Sequence, residues 1–299
     1  IENLRLSALK RNLKIDISAI ETCRDLKIPI ARITFKTAES FDERELKLYD
    51  QIRRRQTTRR LSEKTKVESD FIQITDSISS KDFKHQLILD SKKIDAITKL
   101  ICLADRIRMK NAAGHNDFYN HEIRWTKEEA LLKGDGLDLT LFHLNQLQTT
   151  GLKLSRDARA IQIINEIDGG SRFEDLTMEY MNDAAALGIF SIKSYSNESL
   201  IKAGISIQNL WLHATEYNYA FQPFTSLQML FSRLERNENQ YLNEHELDVV
   251  SKLKSEFHHL IDLDLTWNSV FLYKLNGRCE YDEPSQRISS NQKLILKDD

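Results

Sequence analysis

"IQNLWLHATEYN", residues 207–218, repeats the opening of the chain, "IENLRLSALKRN", residues 1–12. Ile, Asn, Leu, Leu, Ala and Asn recur at six of twelve positions, where unrelated segments would share about one. In both copies Ile, Leu and Ala fall at i, i+3 and i+7, so each predicts a helix burying one apolar stripe. Amphipathicity alone does not require the shared Asn3 and Asn209. A strand-like run follows each copy: "IARITF" (30–35) after the first and, much later, "NSVFLYKL" (268–275) after the second. The reading is two related halves, the first present only as its C-terminal part, with the chain starting inside a helix.

Working outward, Pro (3) and Gly (9) are scarce, which favours long helices. Asp42 and Glu45 have a capping-box spacing at the start of a helix carrying Leu46, Tyr49 and Ile52 on one face. "HQLILD" (85–90) reads as a strand that leads into a helix with Ile94, Ile97, Ile101 and Ala104. "AAGHNDFY" (112–119) breaks that pattern and "NHEIRWTKEEALLKGDG" (120–136) resumes it. Helices are expected at 156–168, 172–187, 197–218 (interrupted near Gly204) and 244–260, and a strand at 188–195. Many helices with a few scattered strands predict α+β, not an alternating doubly wound sheet.

Lys+Arg 43 against Asp+Glu 45 leave a net charge of -2, so no chain-wide field draws the protein to nucleic acid or to an anionic membrane. No apolar run approaches the roughly 20 residues that span a bilayer. Cys23, Cys102 and Cys279 are odd in number and far apart, which fits neither a disulfide framework nor a zinc spacing and suits a reducing cytoplasm.

Against that even balance, "IRRRQTTRRL" (52–61) concentrates five arginines. Arg55, Thr57 and Arg59 alternate after a helix end, and on an extended backbone they point to one side. Two planar guanidiniums and a hydroxyl there suit a terminal phosphate. Arg53, Arg54 and Arg60 would face water. The other reading is a solvated basic helix end favoured by the helix dipole. Nucleic acid is disfavoured, because no second basic stripe or interleaved aromatics accompany the cluster.

"RQTTR" (55–59) resembles the R-x-[ST]-x-R flavin-phosphate motif of nitroreductase-like proteins. "RWTKEEALLKGDGLDL" (124–139), "AGISIQNLWLHATEYNYAFQPFT" (203–225) and "SVFLYKLNGRCEYDEPSQR" (269–287) are similar, in order, to the lid segment, the A-G-x-x-x-Q-x-x-x-L-x-A helix with its QP-x-T turn, and the last strand with its closing P-S-x-R. The resemblance is to the long, two-halved, lid-bearing branch of that FMN-binding family, over roughly residues 52–287. It implies a nitroreductase-like α+β fold: residues 1–42 as the remnant of one half, and 43–299 as the second half with a lid at about 112–140. It implies FMN held by Arg55, Thr57, Arg59 and Arg287 at its phosphate, with Gln222, Pro223, Phe224 and Thr225 along the isoalloxazine and Trp125 and Asp135 in the lid. The activity implied is hydride transfer from NAD(P)H through flavin to a small electron acceptor that no residue identifies. Two other outcomes are compatible with it: a flavin-sequestering protein without turnover, and a cofactor-free interaction domain. Bacterial chains of this kind sometimes carry an E1-like adenylating domain ahead of the reductase-like region. The expected assembly is a monomer with an internal pseudo-dimer, or a homodimer.

No separate catalytic acid or base is needed for such chemistry, and none is assigned. His115, Asp117, His121 and Glu122 lie close in sequence, but two histidines six apart in an expected loop are not a zinc-helix geometry. His258 and His259 read as the polar edge of a helix. The pattern departs from the family at Asn218-Tyr219, where Gly-Leu is usual and where Asn can take the left-handed helix cap. It departs again at Lys274-Leu275-Asn276-Gly277, which stands in place of R-x-G.

Overall fold

In a computed structural model the described residues are 1–20, 29–38, 40, 42–59, 61–236, 238 and 241–277. Helix α1 (Glu2–Leu9) leads to the antiparallel hairpin β1 (Leu13–Ala19) and β2 (Ala31–Thr37). Then come α2 (Glu43–Arg54), α3 (Ser69–Ser77), β3 (Phe83–Ile88), α4 (Ser91–Lys110) and α5 (Ala112–Asn116). A π-helix (Asp117–Glu122), β4 (Ile123–Arg124), α6 (Lys127–Lys133), β5 (Leu137–Asp138) and a 3-10 turn (Leu139–Phe142) follow. Helices α7 (Gln146–Leu154), α8 (Ala158–Glu166) and α9 (Arg172–Met181) precede β6 (Ala186–Ile192). The described chain closes with α10 (Asn197–Glu216), β7 (Tyr219–Pro223), α11 (Ser226–Glu235), α12 (Glu244–Leu260) and β8 (Asn268–Gly277).

The centre is an antiparallel sheet in the order β3-β6-β8-β7. Strand β6 is buried along its whole length, and its side chains alternate between two cores. Leu187 and Ile189 join Ile94, Ile97 and Ile101 of α4 with Leu227, Phe231 and Phe257 of α11 and α12. Ala186, Phe190 and Ile192 join Phe71 of α3 with Leu210 and Trp211 of α10. The sheet is thus sandwiched between helical layers, and each fully buried Leu, Ile or Phe contributes about 1.5–3 kcal/mol. Gly188 has a specific reason to be glycine. A Cβ there would stand 1.9 Å from Tyr273 Cζ, so the β8 tyrosine lies flat over it.

Caps set the helix starts. Asp90, Ser196 and Asn243 accept from Lys93 N, Ser199 N and Glu246 N at the heads of α4, α10 and α12, each worth about 1 kcal/mol. Asp42 caps α2 through Arg44 N at 2.9 Å. The expected Asp42–Glu45 box is not formed, because Glu45 is drawn off by Arg5 Nη1 at 2.6 Å. Residues 112–119, the expected break, are helical. Asn111 ends α4 and caps α5 through Ala113 N and Gly114 N. The expected interruption at Gly204 is also absent: α10 runs through it, and a Cβ there would meet nothing.

The two copies of the repeated stretch pack together. Gln208 Nε2 donates to Asn3 Oδ1 at 2.9 Å, and Asn209 Nδ2 donates to Glu2 Oε1 at 3.1 Å. In the alignment of the two stretches position 2 matches 208 and position 3 matches 209, so the two bonds join matched positions crosswise. Leu6 and its match Leu212 are both fully buried in one cluster with Leu9 and Leu48. The ladders correspond as well: Leu13 pairs with Thr37 in the hairpin, and Tyr219 pairs with Gly277 in the main sheet.

Candidate functional site

A cavity of about 1330 Å³ opens where β7 ends, between α4, the π-helix and the helices α7 to α9. Gln222, Pro223, Phe224, Thr225 and Ser226 form one wall. Their placement follows from the ladder. Gln222 lies opposite Lys274 and Pro223 opposite Tyr273, and Phe224 N then bonds Leu272 O at 2.9 Å. Proline is tolerated because β7 is an edge strand. Gln222 is 5% exposed, and its Oε1 has no hydrogen-bond partner.

Thr57 and Arg59 border the same cavity. They sit in the irregular segment after α2, and the guanidinium of Arg59 lies 5.2 Å from the Phe142 ring centre. Arg55 of the same motif ends α2 with extended backbone and stacks over Trp211, 4.1 Å from its ring centre. Unlike Thr57 and Arg59, it does not border the cavity. Arg53 and Arg54 are exposed as expected, whereas Arg60 lies outside the described residues. Arg287, the fourth expected phosphate ligand, also lies outside them.

The segment from 117 to 142 builds the opposite wall. Phe118, His121 and Glu122 of the π-helix reach the cavity, as do Arg124, Asp135, Gly136 and Phe142. Two ion pairs brace it. Glu122 bonds Arg108 of α4, and Asp135 accepts Arg124 Nη2 at 2.7 Å and Nε at 3.1 Å. Arg124 also donates to the His121 and Ile123 carbonyls, so its buried charge is well satisfied. Gly136 has φ 77°, and a Cβ there would lie 2.7 Å from Arg124 Cζ, so the backbone at Asp135-Gly136 makes room for the buried arginine. Trp125 is set back from the cavity. It stacks on Tyr119 at 6.0 Å, under Arg156, with its indole N–H buried and without a partner.

Several residues of the site have no signal of their own in the sequence. Asp105 and Arg108 of α4 and Thr177 and Tyr180 of α9 reach the cavity only because α4 and α9 pack on one another. Burial pushes the Asp105 carboxyl above its ordinary range, opposed by hydrogen bonds from the Thr177 and Ser226 hydroxyls and by the charge of Arg108. Tyr180 OH donates to Phe142 O, while its own carbonyl accepts Lys274 Nζ at 2.6 Å. Lys274 is fully buried and pairs with Asp183 at 2.7 Å, and burial lowers its ammonium pKa while Asp183 opposes the shift. Asn276 Nδ2 reaches Ser62 Oγ at 2.8 Å and also bonds Asp183, which anchors the loop after Arg59 to the central strand. A smaller hollow of about 330 Å³ shares Arg59, Phe142 and Tyr180 with the cavity.

The acidic and histidine cluster of 115–122 is divided among separate tasks. His115 Nε2 lies 2.7 Å from Ser155 O, and Glu122 serves Arg108. His258, expected on a polar helix edge, is instead 2% exposed with neither ring nitrogen partnered, and burial lowers its pKa. Among the described residues no helix is long and apolar enough to cross a membrane.

No protein-family model matches the chain. An uncharacterised protein of Mycobacterium tuberculosis is 23% identical over 202 residues, which is 68% of this chain but only 28% of that protein. The chain therefore spans well under a third of the curated relative it matches. Among solved structures, an FMN- and NADPH-dependent nitroreductase of Sphigopyxis sp. strain HMH aligns over 84% of this chain and 99% of its own at 11% identity, TM-score 0.48. An FMN-bound nitroreductase of Bacteroides fragilis aligns over 84% and 98% at 10% identity, TM-score 0.46. Iodotyrosine deiodinase bound to FMN and 3-iodo-L-tyrosine aligns over 84% and 97% at 13% identity, TM-score 0.43.

Proposed function

We propose that this chain is a nitroreductase-like FMN-binding protein and that the 1330 Å³ cavity is its flavin site. One observation carries the reading. Thr57, Arg59, the run Gln222–Thr225 and Asp135 were singled out from three separate motifs, and they border one cavity. Thr57 and Arg59 hold the phosphate end, with Arg55 stiffening the motif through Trp211 and Arg287 joining from the tail. Gln222, Pro223, Phe224 and Thr225 run along the ring system, and Trp125 and Asp135 belong to the covering segment.

The residues fit the group. Gln222 Oε1 is a buried acceptor with no partner, at a cost of about 1–3 kcal/mol unless a ligand N–H satisfies it, and a flavin ring carries one. The cavity also exceeds the roughly 300–1000 Å³ of a site for one drug-sized ligand, so a second molecule can share it. When bound, FMN would supply hydride acceptance from NAD(P)H and donation to an electron acceptor. The chain itself anchors the phosphate, keeps one face dry and sets hydrogen bonds to the ring. A sequestering role is the second reading. The ion-paired wall of Arg108, Glu122, Arg124 and Asp135 favours it, because such a wall restricts access to the ring.

We also read residues 1–42 and 43–299 as parts of two related halves. The crosswise bonds Gln208–Asn3 and Asn209–Glu2 support this reading. An absorption spectrum of the purified protein tests the cofactor: bound oxidised flavin supports the proposal, and a colourless protein that takes up no added FMN overturns it. Anaerobic NAD(P)H then separates the two readings. Rapid bleaching marks an oxidoreductase, and persistent colour marks sequestration.

A further inference from the structure

We propose that Lys274 is the positioning residue for Arg59, and that through Arg59 it sets the preference for FMN over the same flavin without its phosphate. The inference rests on the flavin reading and on Arg59 as a ligand of the phosphate. Its own basis is the way the segment that carries Arg59 is held.

No regular element supports that segment: α2 ends at Arg54 and α3 begins at Ser69. An irregular stretch has no ladder to fix its backbone, so its conformation depends on individual bonds to its neighbours. Before Arg59, Trp211 Nε1 donates to Gln56 O at 3.3 Å. Beyond it, the bonds at Ser62 lead to Asp183 and to β8. Ser62 N donates to Asp183 Oδ2 at 2.8 Å. Ser62 Oγ donates to Gly277 O at 2.7 Å and accepts from Asn276 Nδ2 at 2.8 Å. A Cβ at Gly277 would come within 3.2 Å of Glu63 O, so the segment lies directly against the end of β8.

Lys274 sits where these bonds converge. It and Asn276 are two apart on β8 and project from one face of the sheet. Its ammonium donates to Asp183 Oδ1 at 2.7 Å and so fixes the carboxylate whose other oxygen takes Ser62 N and Asn276 Nδ2. It also donates to Tyr180 O at 2.6 Å. Tyr180 OH donates to Phe142 O, and the Phe142 ring centre lies 5.2 Å from the Arg59 guanidinium. One buried ammonium is thus joined to Arg59 from two sides, through the backbone that carries it and through the ring it rests on.

A buried ion pair contributes little to stability beyond what apolar side chains of the same volume would give. An apolar pair at 183 and 274 would keep the core filled, but it would leave Ser62 N and Tyr180 O without these partners. The ionic pair gives both a fixed place, so Arg59 has less freedom to lose when it meets a phosphate. The ring system of a flavin does not draw on that arrangement, since Gln222 and Pro223 are placed by the β7–β8 ladder.

The test is binding of FMN and of riboflavin to the flavin-depleted full chain, followed by flavin fluorescence and read as the ratio of the two dissociation constants. Wild type should favour FMN about tenfold to a hundredfold, and Arg59→Ala should lower the ratio about tenfold. Lys274→Met with Asp183→Leu should lower it by a similar factor while riboflavin binds within about threefold of wild type. Adding Arg59→Ala to that pair should lower the ratio by no more than about twofold further. Ser62→Ala should lower it about threefold, and Ser62→Thr, which keeps the hydroxyl, should restore it. Urea unfolding shows which variants are folded, and where the apolar pair is not, Ser62→Ala against Ser62→Thr decides. A merely structural role predicts that FMN and riboflavin weaken by the same factor. That outcome, or a ratio left at the wild-type value, overturns the inference. An Arg59→Ala loss as large beside the apolar pair as in wild type overturns it too. The failures are distinguishable. A wild type that binds neither flavin sinks the flavin reading, and an Arg59→Ala change without effect on the ratio sinks the phosphate assignment. A ratio that falls in Arg59→Ala but persists in the other variants sinks this inference alone.

Discussion

Asn12 and Asn218 end the two copies of the repeated stretch in the same left-handed backbone conformation, φ 58° and 60°. Each turns a helix into a strand, β1 in one case and β7 in the other. A side chain with Cβ branching cannot adopt this conformation without strain, whereas Asn and Gly can. Asn218→Gly should therefore leave stability within about 0.5 kcal/mol, and Asn218→Val should cost about 1–2 kcal/mol or more. The same pair of changes at Asn12 should follow the same order. Urea unfolding of the four variants checks it, and equal effects of Gly and Val would refute the conformational argument.

Arg59 and Arg55 should separate in their effects on FMN. Arg59→Ala removes a charged donor from the cavity wall and is expected to weaken FMN retention roughly tenfold to a hundredfold. Arg55→Ala removes a cation from the face of Trp211 and should act mainly on stability, by about 0.5–2 kcal/mol. Equilibrium dialysis against FMN together with thermal melting distinguishes them. The double variant should release flavin. A double variant that retains it unchanged would remove both arginines from the phosphate site.

His85 makes the fold sensitive to acid. It is buried between Thr75 O at 3.2 Å and Tyr273 OH at 3.0 Å, and burial lowers its pKa to about 4. The unfolded chain takes up a proton near pH 6.5 and the folded chain only near 4, so the unfolded state gains as pH falls through this window. Stability is full above about pH 6.5 and falls by up to about 3 kcal/mol by pH 4. His85→Gln should flatten that part of the profile. Urea midpoints of both proteins at neutral and mildly acidic pH provide the check, and parallel profiles would contradict it.

Lys274 and Asp183 should behave as a buried pair. Lys274→Met leaves the Asp183 carboxylate beside an apolar chain and is expected to cost about 3–5 kcal/mol. Asp183→Asn with Lys274→Met should recover a substantial part of that loss. A double-mutant cycle by chemical denaturation measures the coupling, and simple additivity would show that the two groups do not depend on each other.

The architecture was legible where one element explains its own sequence. The stripe Ile94, Ile97 and Ile101 gives α4, and α12 occupies 244–260 as its pattern predicts. Strand β1 was overlooked although Leu13, Ile15, Ile17 and Ala19 alternate cleanly, the period-two signal of a half-buried strand. Strand β7 is short and ends in proline, so it resembled a turn. Residues 112–119 looked like a break because the apolar spacing of α4 does not continue through them. Gly114 is there because a Cβ would lie 2.4 Å from the Arg108 carbonyl oxygen. The motif-bearing cavity residues were legible through resemblance. Asp105, Arg108, Thr177 and Tyr180 were not, since nothing local distinguishes a carboxylate that faces a cavity from one that faces water. Only the packing of distant helices gives Asp105 its environment.

The π-helix that carries Phe118, His121 and Glu122 winds wider than its neighbours, with bonds running five residues back. Removing any one residue from it would restore ordinary pitch and turn the flanking side chains by about 100°. Glu122 would swing off Arg108, and a different edge of the segment would face the cavity. This wall can therefore be recut in a single genetic step by a change of length, which is a route to altered selectivity that point substitution along it does not offer.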